Sequence, residues 1–346
     1  MIKVGIIGAT GYAGQELVRL LMGHKDVTIK YYSSKSYVGK RYDEVYPNML
    51  NIVGDICVED NLVDMAKEVD VIFTATPHAY ISSLINEDIL SNAKVIDLSA
   101  DFRLNNQAVF EKWYNIKHES FQFVEEAVYG LSEIYRDDIK NARLIANPGC
   151  YPTCSILSLY PLLKEGLVDK DSIIIDAKSG VSGAGRSVSL NTIYCEVNES
   201  MKAYGISTHR HAPEIEEQLS MACGNDIAIN FTPHLVPMNR GIYTTAYANL
   251  LSNYSYDEVK EIYNKYYKNE NFIRILEEGV YPETKWVEAS NYMDINFKID
   301  NRTNRIIVVS AIDNLVKGAA GQAVQNMNIM FGLKENEGLN IVPIFP

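Results

Sequence analysis

The chain has 346 residues, of which 47% are hydrophobic and 22% charged, enough for one large core or two ordinary domains. Its net charge of −12 at pH 7 argues against a broad nucleic-acid footprint and against an anionic membrane surface as a partner. No apolar run approaches the ~18 residues that span a bilayer, and glycines interrupt the first apolar stretch, unlike in a secretory signal. The cysteines lack the spacing of a disulfide framework. We therefore expect a reduced, cytoplasmic setting.

The first half of the chain alternates predicted strands and helices. A helix is predicted over 15–22, where Leu17, Leu20 and Leu21 share one face. Strands are predicted at 2–7, 27–32, 71–75, 94–98 and 143–146. This alternation predicts an α/β fold with a parallel, doubly wound sheet of the Rossmann type, in which ligands bind beyond the carboxyl ends of the strands.

A glycine-rich turn joins the first strand to the first helix. Gly8, Gly11 and Gly14 have the spacing G-x-x-G-x-x-G rather than the commoner G-x-G-x-x-G. Glycines let the backbone approach a pyrophosphate, and the helix N-terminus adds N–H donors and the positive end of its dipole. The turn therefore predicts dinucleotide binding, with Thr10 and Tyr12 as further contacts. The alternative is an ordinary tight strand-to-helix turn.

The end of the second strand bears on the choice of cofactor. An NAD enzyme usually has Asp or Glu there to hold the ribose 2′-hydroxyl. Here Ser33, Ser34 and Lys35 follow, with Lys40 and Arg41 close behind. Hydroxyls and cations without a carboxylate suit a 2′-phosphate, so the sequence favours NADP(H). The alternative is a solvated basic loop.

The pattern changes in the second half of the chain. A helix is predicted over 156–163, and Pro161 is expected to kink or shorten it. Longer, alternating strands are predicted at 172–177, 226–234, 241–249, 291–299 and 305–312, and helices at 256–268 and 319–331. They indicate an α+β domain with a mixed or antiparallel sheet. We expect an NADP-binding domain over 1–148, a catalytic and oligomerisation domain over 149–317, and a C-terminal segment, 318–346, that packs back on the first domain.

Cys150 lies in the run N-P-G-C-Y-P-T, and a helix is predicted after it. A cysteine at a helix N-terminus has a stabilised thiolate and a lowered pKa. The residues alone leave open a nucleophile or a buried small hydrophobe at this position. Burial is the expectation for Cys57, Cys195 and Cys223. Cys154, one helical turn further on, is expected to be a packed helix residue rather than a resolving thiol.

His209 and His211 form the only close histidine pair, in the run H-R-H-A-P-E. Alternate histidines can ligate a metal, but no third Cys or His lies nearby in sequence, so we assign no metal. Acid/base work fits better because imidazole titrates near neutral pH, and Arg210 offers a fork of donors to an anion. The alternative is a surface cluster before a helix that starts at Pro213.

A second loop of small residues runs from Lys178 to Arg186. Its backbone N–H groups could cradle an anion, and the two cations would add charge. A flexible loop is the alternative.

These motifs together resemble the N-acetyl-gamma-glutamyl-phosphate reductase family, of the aspartate-semialdehyde dehydrogenase-like group, nearly end to end. Besides the runs already described, the resemblance is carried by the segments 97–104, 129–131, 179–186, 231–241 and 313–318. Arg240 and Lys317 are candidate functional residues only because of this resemblance. The resemblance implies NADPH-dependent reduction of N-acetyl-L-glutamyl 5-phosphate to the semialdehyde in arginine biosynthesis, and assembly to a homodimer or homotetramer through the sheet of the second domain.

By position in the family's motifs, Cys150 is implied to be the nucleophile and His209, which opens the matching run, the acid/base histidine. Asn314 is implied to lie near the nicotinamide. For the cofactor, the expected contacts are Gly8, Thr10, Gly11, Tyr12, Gly14, Ser33, Ser34, Lys35, Ser182, Gly183 and Asn314. For the substrate or phosphate, they are Arg103, Asn147, Lys178, Arg186, His211 and Glu214.

In the implied mechanism the Cys150 thiolate displaces phosphate to form a thioester, and hydride reduces this to a thiohemiacetal. His209 protonates the oxyanion and takes the proton back as the aldehyde leaves. Competing hypotheses are reductases that act on aspartyl phosphate or on carrier-linked aminoadipyl phosphate, and the net charge argues mildly against binding an acidic carrier. A non-catalytic NADP-binding protein and a metal-dependent hydrolase at His209 and His211 are further alternatives.

Overall fold

The structure is a computed structural model, and it describes residues 1–345 of the chain. It has two compact units. The first consists of Met1–Pro148 and Ala319–Asn340, and the second of Gly149–Gly318 and the end of the chain. Within the C-terminal segment 318–346, most residues therefore belong to the first unit and the last few to the second.

The first unit contains a parallel sheet with helices between its strands. The strands are β1 (Ile2–Ile7), β2 (Val27–Tyr32), β3 (Val71–Thr74), β4 (Lys94–Asp97), β5 (Val128–Tyr129) and β6 (Leu144–Ala146). The helices are α1 (Tyr12–Met22), α2 (Tyr42–Val45), α3 (Leu62–Ala66), α4 (Glu87–Asn92), α5 (Gln107–Tyr114) and α6 (Ser132–Ile139). The strand order is β2-β1-β3-β4-β6-β5, and every pair is parallel. The predicted doubly wound sheet is confirmed.

Apolar runs explain the central strands. Val4, Ile6 and Ile7 of β1 are all fully buried, as is typical of a strand covered on both faces. Helix α1 buries Leu17 and Leu20. It begins at Tyr12, three residues earlier than its periodicity predicts.

The second unit has a mixed sheet. Its strands are β7 (Ile174–Ser179), β8 (Lys202–Ala203), β9 (Asn230–Leu235), β10 (Ile242–Asn249), β11 (Ile273–Ile275), β12 (Met293–Asp300) and β13 (Arg305–Ile312). Its helices are α7 (Cys150–Lys164), α8 (Tyr194–Val197), α9 (Ala212–Cys223) and α10 (Tyr256–Tyr267). The order is β11-β12-β13-β10-β7-β9-β8, with parallel pairs only at β11–β12 and β7–β9.

Helix α7 continues through a proline. It begins at Cys150 rather than near residue 156, and Pro161 lies inside it. A proline inside a helix leaves the carbonyl oxygen four residues earlier without its N–H donor. Here that oxygen, on Leu157, accepts the hydroxyl of Tyr267 at 2.7 Å. The predicted shortening at Pro161 was therefore wrong, because α10 supplies the missing donor.

One face of the second sheet is covered along β10, and the other is partly exposed there. Side chains of β10 alternate between buried and half-buried, and α7 packs on the buried side, where Cys154 Sγ lies 3.1 Å from Ser310 Oγ. The opposite side, called the open face below, includes Ile174, Asp176, Lys178, Thr232, His234, Tyr243, Thr245, Tyr247 and Ile307, all of them at least partly exposed.

The last helix, α11 (Gly321–Met330), belongs to the first unit. A π-helical turn over Val316–Ala320 precedes it. All of its residues are buried, and Asn326 Nδ2 donates to the carbonyl oxygen of Gly130 at 2.8 Å. Across the described part of the chain, no helix combines the length and apolar character that a membrane span requires.

Candidate active site

The turn between β1 and α1 has two positions where only glycine fits. Gly8 has φ +77°, and a Cβ there would lie 2.3 Å from the carbonyl oxygen of Ala75. A Cβ on Gly14 would lie 2.2 Å from the carbonyl oxygen of Gly8. Gly11 is the N-cap of α1, and no side chain caps the first N–H groups of that helix. An uncapped helix N-terminus behind a close backbone turn fits the pyrophosphate of a dinucleotide.

Hydroxyl groups brace this turn. Thr10 Oγ1 and Ser34 Oγ lie 2.7 Å apart, and both residues are buried. The hydroxyls of Tyr42 and Tyr46 donate to backbone carbonyl oxygens of the turn at 3.0 and 2.9 Å. Tyr12 is exposed at the start of α1. The structure thus brings the glycines, Thr10, Tyr12 and Ser34 to one place, as the sequence predicts for cofactor contacts.

A carboxylate that the sequence did not reveal lies at the end of β2. Ser33 Oγ donates to one oxygen of Asp60, and the hydroxyl of Tyr80 donates to the other at 2.7 Å. The expectation of a strand end without a carboxylate was therefore wrong. Asp60 lies 27 residues beyond Ser33 along the chain, so no local pattern could have found it. Both of its oxygens accept protein hydroxyls, and Lys35 is exposed nearby in sequence.

Cys150 is half-buried at the first position of α7. Gly149 is the N-cap, and no side chain caps the helix there, so the positive end of the helix dipole favours the thiolate. A Cβ on Gly318 would lie 2.7 Å from Cys150 Cβ and 3.2 Å from its Cα. The Gly318 N–H in turn donates to the carbonyl oxygen of Asp313 at 2.9 Å. This turn therefore lies directly against the nucleophile, where only glycine fits.

The other cysteines have different surroundings. Cys57 and Cys154 are buried, and burial raises the pKa of the Cys154 thiol to about 11, which confirms a packed helix residue. Cys223 is half-buried and Cys195 exposed, so the burial predicted for these two was wrong.

Glu214 connects the histidine run to the nucleophile. It is 1% exposed in the first turn of α9, and its Oε1 accepts the backbone N–H of Gly149 at 2.9 Å. The peptide that caps α7 is therefore held by a residue from the run that begins at His209. This bond gives Glu214 a structural partner, whereas the sequence assigned it to the substrate.

Aromatic rings surround the imidazole of His209. The centroids of Tyr151, Tyr204, His211 and Phe231 lie 5.5, 5.3, 4.9 and 5.5 Å from its centroid, all with edge-to-face geometry. These rings come from α7, from the chain after β8, from the start of α9 and from β9. Such packing fixes the ring plane and removes water from much of the imidazole.

Burial, and then the charge of Arg210, lower the pKa of His209 to about 4. Its Nδ1 accepts the backbone N–H of His211 at 3.1 Å. Burial raises the pKa of Tyr204 to about 12, and the charge of Cys150 acts in the same direction. Tyr151 directly follows Cys150 in α7 and its ring packs on His209, so the nucleophile and the predicted acid/base histidine have a common neighbour.

The cofactor contacts predicted in the second unit lie together. Asn314 Nδ2 donates to Ser182 Oγ at 3.0 Å, and Asn314 Oδ1 accepts the N–H of Gly241 at 2.8 Å. A Cβ on Gly183 would lie 3.6 Å from Asn314 Nδ2. Ser182 and Gly183 belong to a 3₁₀ turn over Val181–Ala184. The second small-residue loop is thus built around Asn314.

Two predicted substrate contacts are buried in the first unit. The Arg103 guanidinium donates to the carbonyl oxygen of Leu98 at 2.7 Å. Asn147 donates to the carbonyl oxygen of Ala319 at 3.1 Å and accepts from Asn326 at 3.1 Å. These bonds use the amide of Asn147 within the fold, and its assignment to the substrate stays a prediction.

Lys178 and Arg186 are both at least partly exposed, and their assignment to the substrate stays a prediction. Lys178 lies on the open face, opposite α7, and its Nζ contacts Asp176 at 2.8 Å. Arg186 is exposed. His211, by contrast, packs directly on His209. In the described part of the chain, no cluster of three potential metal ligands includes His209.

Known proteins place these features in a family. Residues 3–142 match the family described as semialdehyde dehydrogenase, NAD binding domain, and residues 150–314 match semialdehyde dehydrogenase, dimerisation domain. The N-acetyl-gamma-glutamyl-phosphate reductase of Lachnoclostridium phytofermentans is 66% identical over 346 residues, and that of Lachnospira eligens 62% over 348, with 100% of each chain covered. Aspartate semialdehyde dehydrogenase II from Vibrio cholerae has the same fold, with a TM-score of 0.73 at 16% identity over 96% of this chain and 99% of its own.

A nucleotide-binding sheet followed by a cysteine that opens a helix places the protein among the semialdehyde dehydrogenases, oxidoreductases that use a nicotinamide cofactor. Within that class the identity to full-length relatives decides the family. The chain belongs to the N-acetyl-gamma-glutamyl-phosphate reductases, and the resemblance inferred from the sequence is confirmed.

Proposed function

We propose that the chain reduces N-acetyl-L-glutamyl 5-phosphate with NADPH to N-acetyl-L-glutamate 5-semialdehyde and phosphate, as a step of arginine biosynthesis. The observation that carries the proposal is Cys150 at the uncapped N-terminus of α7, in a chain 66% identical to a full-length N-acetyl-gamma-glutamyl-phosphate reductase.

The reaction begins at Cys150. Its thiolate attacks the acyl carbon, the bond from that carbon to the phosphate oxygen breaks, and phosphate leaves and takes up one proton from water. The N-terminus of α7 stabilises the thiolate, and the positive end of its dipole suits the oxyanion that forms. When bound, NADPH supplies the hydride that reduces the thioester carbon. The thiohemiacetal on Cys150 then collapses to the aldehyde and returns the thiolate.

Each unit of this chain has its own proposed cofactor contacts. Gly8, Gly11 and Gly14 let the pyrophosphate approach the start of α1, since a larger residue at two of these positions would collide with backbone. In the second unit, Asn314 and its neighbours in the 3₁₀ turn are the proposed contacts of the nicotinamide. The exposed Lys35 favours a 2′-phosphate and therefore NADP(H) over NAD.

Two copies associate through the open face of the second sheet. Tyr243, Tyr247 and Ile307 lie half-buried on this face, with apolar surface available to a second copy. We expect Ile307→Asp to shift the protein to monomer in light scattering, whereas Leu50→Asp, on an exposed residue of the first unit, leaves the mass unchanged. An unchanged mass for Ile307→Asp would place the contact elsewhere.

The first test is phosphate-dependent reduction of NADP with N-acetylglutamate 5-semialdehyde, run beside aspartate semialdehyde and beside NAD. Activity with the acetylated substrate alone, lost after iodoacetamide treatment and in Cys150→Ser, supports the substrate and the thioester route. Activity with aspartate semialdehyde alone would keep the chemistry and overturn the substrate. Near-normal turnover of Cys150→Ser would overturn the thioester.

A further inference from the structure

We propose that the carboxylate of Asp60 opposes the 2′-phosphate of NADP(H), and so limits how far this chain prefers NADP(H) over NAD(H). The inference deepens the cofactor site of the proposed function and rests on it. It concerns a residue of the first unit to which no pattern in the sequence assigned a role.

The chain before Asp60 runs beside the end of β2. Ser33 pairs with Val58 in a parallel bridge, and the N–H of Ser34 donates to the carbonyl oxygen of Val58 at 2.9 Å. Asp60 follows two residues later, and its carboxylate accepts the hydroxyl of Ser33. In a nucleotide-binding sheet of this type, the adenosine ribose binds at the end of the second strand. Asp60 therefore brings a negative charge to the part of the fold where the 2′-phosphate is read.

Two hydroxyls fix the carboxylate of Asp60. One oxygen accepts Ser33 Oγ, and the other accepts the hydroxyl of Tyr80 at 2.7 Å. An ionised carboxylate only accepts hydrogen bonds, and here each of its oxygens accepts one. Burial, then the hydrogen bond to Asp60 and its charge, raise the pKa of Tyr80 to about 12, so this hydroxyl remains a donor at neutral pH.

The serines after β2 do not offset this charge. Ser33 gives its one hydroxyl proton to Asp60, and Ser33 and Ser34 are both buried. The positive charge comes from Lys35 and Lys40, which are exposed and form no ion pair with the described residues. Recognition of the 2′-phosphate is therefore a balance between these lysines and Asp60.

The charge of Asp60 acts differently on the two cofactors. A carboxylate near a phosphate dianion, in half-exposed surroundings, weakens its binding about 3–10-fold. The ribose 2′-hydroxyl of NAD(H) is uncharged, and hydroxyls donate to carboxylates. Asp60 thus lowers the affinity for NADP(H) and leaves that for NAD(H) unchanged.

Two nucleotide fragments isolate the 2′-phosphate. Adenosine 2′,5′-bisphosphate carries it and adenosine 5′-monophosphate does not, so the ratio of their dissociation constants reports its recognition. In calorimetric titrations of the full chain, we expect Asp60→Asn to bind the bisphosphate about 3–10-fold more tightly than the wild type, and the monophosphate within about twofold. The gain should shrink at about 1 M NaCl, where the Debye length is about 3 Å. An unchanged ratio, or an equal gain for both fragments, would overturn the proposal.

Three further variants separate charge from packing. Tyr80→Phe removes a hydroxyl and keeps the carboxylate, and Glu59→Gln removes the charge of the exposed neighbouring residue. We expect both to keep the ratio of dissociation constants within about twofold of the wild type, and Lys35→Ala to weaken the bisphosphate about 3–10-fold. If Tyr80→Phe or Glu59→Gln changed the ratio as Asp60→Asn does, local packing or net charge would be the cause, and the proposal would fail.

The reaction gives a second readout. We expect Asp60→Asn to raise the ratio of kcat/KM for NADP to that for NAD about 3–10-fold. If the wild type binds both fragments but does not act on the acetylated substrate, the proposed function fails, and the fragment ratio still decides the role of Asp60. A wild type that binds neither fragment would overturn both.

Discussion

Cys150 depends on two neighbours that take no part in bond making. Gly318 has no side chain and so leaves room for the Cβ of Cys150. Glu214 accepts a hydrogen bond from the N–H of Gly149, the residue before Cys150. The first acts by having no side chain and the second through one buried hydrogen bond. Small displacements of a nucleophile are costly, about 10²-fold for a misplacement near 1 Å. Both neighbours are therefore testable through kcat.

Gly318→Ala places a methyl group 2.7 Å from Cys150 Cβ, and one of the two must move. We expect kcat to fall by about 10–100-fold and the rate of thiol alkylation at Cys150 to change, while cofactor affinity stays the same. Steady-state kinetics and timed iodoacetamide labelling measure both. Gly23→Ala is the control, since its new Cβ would be 3.5 Å from its nearest neighbour. Wild-type kcat and labelling in Gly318→Ala would show that the nucleophile tolerates the shift.

Substitutions of Glu214 distinguish a positioning role of this residue from a substrate-binding role. Glu214→Ala leaves the N–H of Gly149 buried without its acceptor, so we expect a loss of about 1–3 kcal/mol in unfolding free energy and a lower kcat. Glu214→Gln keeps an acceptor oxygen and retains most of both. KM should change little in either variant. A several-fold rise of KM in Glu214→Gln, with stability intact, would instead support the substrate contact predicted from the sequence.

At the level of elements, the glycines of the turn before α1 are needed for different reasons. Gly14 must avoid the backbone of Gly8, whereas a Cβ on Gly11 would lie 3.5 Å from the carbonyl oxygen of Gly8, an ordinary contact. We expect Gly14→Ala to lower the melting temperature, because overpacking costs about 1–3 kcal/mol, and to weaken cofactor binding. Gly11→Ala should keep the melting temperature and weaken cofactor binding alone, since its Cβ enters the space above the helix N-terminus.

Scanning fluorimetry and calorimetric titration with NADP test this pair. If Gly11→Ala bound NADP as tightly as the wild type, the pyrophosphate would not approach this turn. If Gly14→Ala kept the wild-type melting temperature, the backbone would be able to relax around the added methyl group.

Elements with a local pattern were predicted from the sequence, and elements fixed by distant partners were not. β1 and β2 begin and end where their apolar runs do, and α10 ends one residue earlier than expected. The continuation of α7 through Pro161 was missed because it depends on Tyr267, over a hundred residues away. The edge strands β5 and β8 have two residues each, too few for any periodicity.

The same distinction holds for the site. The glycine turn and Cys150 lie in short runs with recognisable spacing, so their chemistry could be predicted. The rings around His209 come from four separate segments, and Asp60 reaches Ser33 across 27 residues. Gly318 lies far along the chain from Cys150. No spacing rule connects such pairs, because the fold alone brings them together.

For the whole molecule, two buried groups make stability depend on pH in opposite directions. Burial lowers the pKa of His209 to about 4, so its contribution is present above pH ~6.5 and is lost as the pH falls toward 4. Burial, and then the charge of Asp101, raise the pKa of Asp97 to about 6. The contribution of Asp97 is therefore present below pH ~4 and is lost as the pH rises through 6.

Asp97→Asn isolates the second effect. The carboxyl group accepts hydrogen bonds from Thr74 Oγ1 at 2.7 Å and from Ser99 Oγ and N at 2.6 and 3.0 Å, where β3 and β4 end. An amide keeps most of these bonds and does not ionise. We expect the variant to be less stable than the wild type at pH 4.5 and to gain about 1–3 kcal/mol relative to it by pH 7.5. Urea unfolding at the two pH values measures this difference.

Asp137→Asn is the matched control, because its carboxylate is 91% exposed and pairs only with Lys140 on the surface. Its stability relative to the wild type should change little between the two pH values. A difference for Asp97→Asn that does not depend on pH would mean that Asp97 is already ionised in the folded protein at pH 4.5. The hydrogen bonds from Thr74 and Ser99 would then stabilise the carboxylate enough to outweigh its burial, and the ends of β3 and β4 would carry a permanent negative charge.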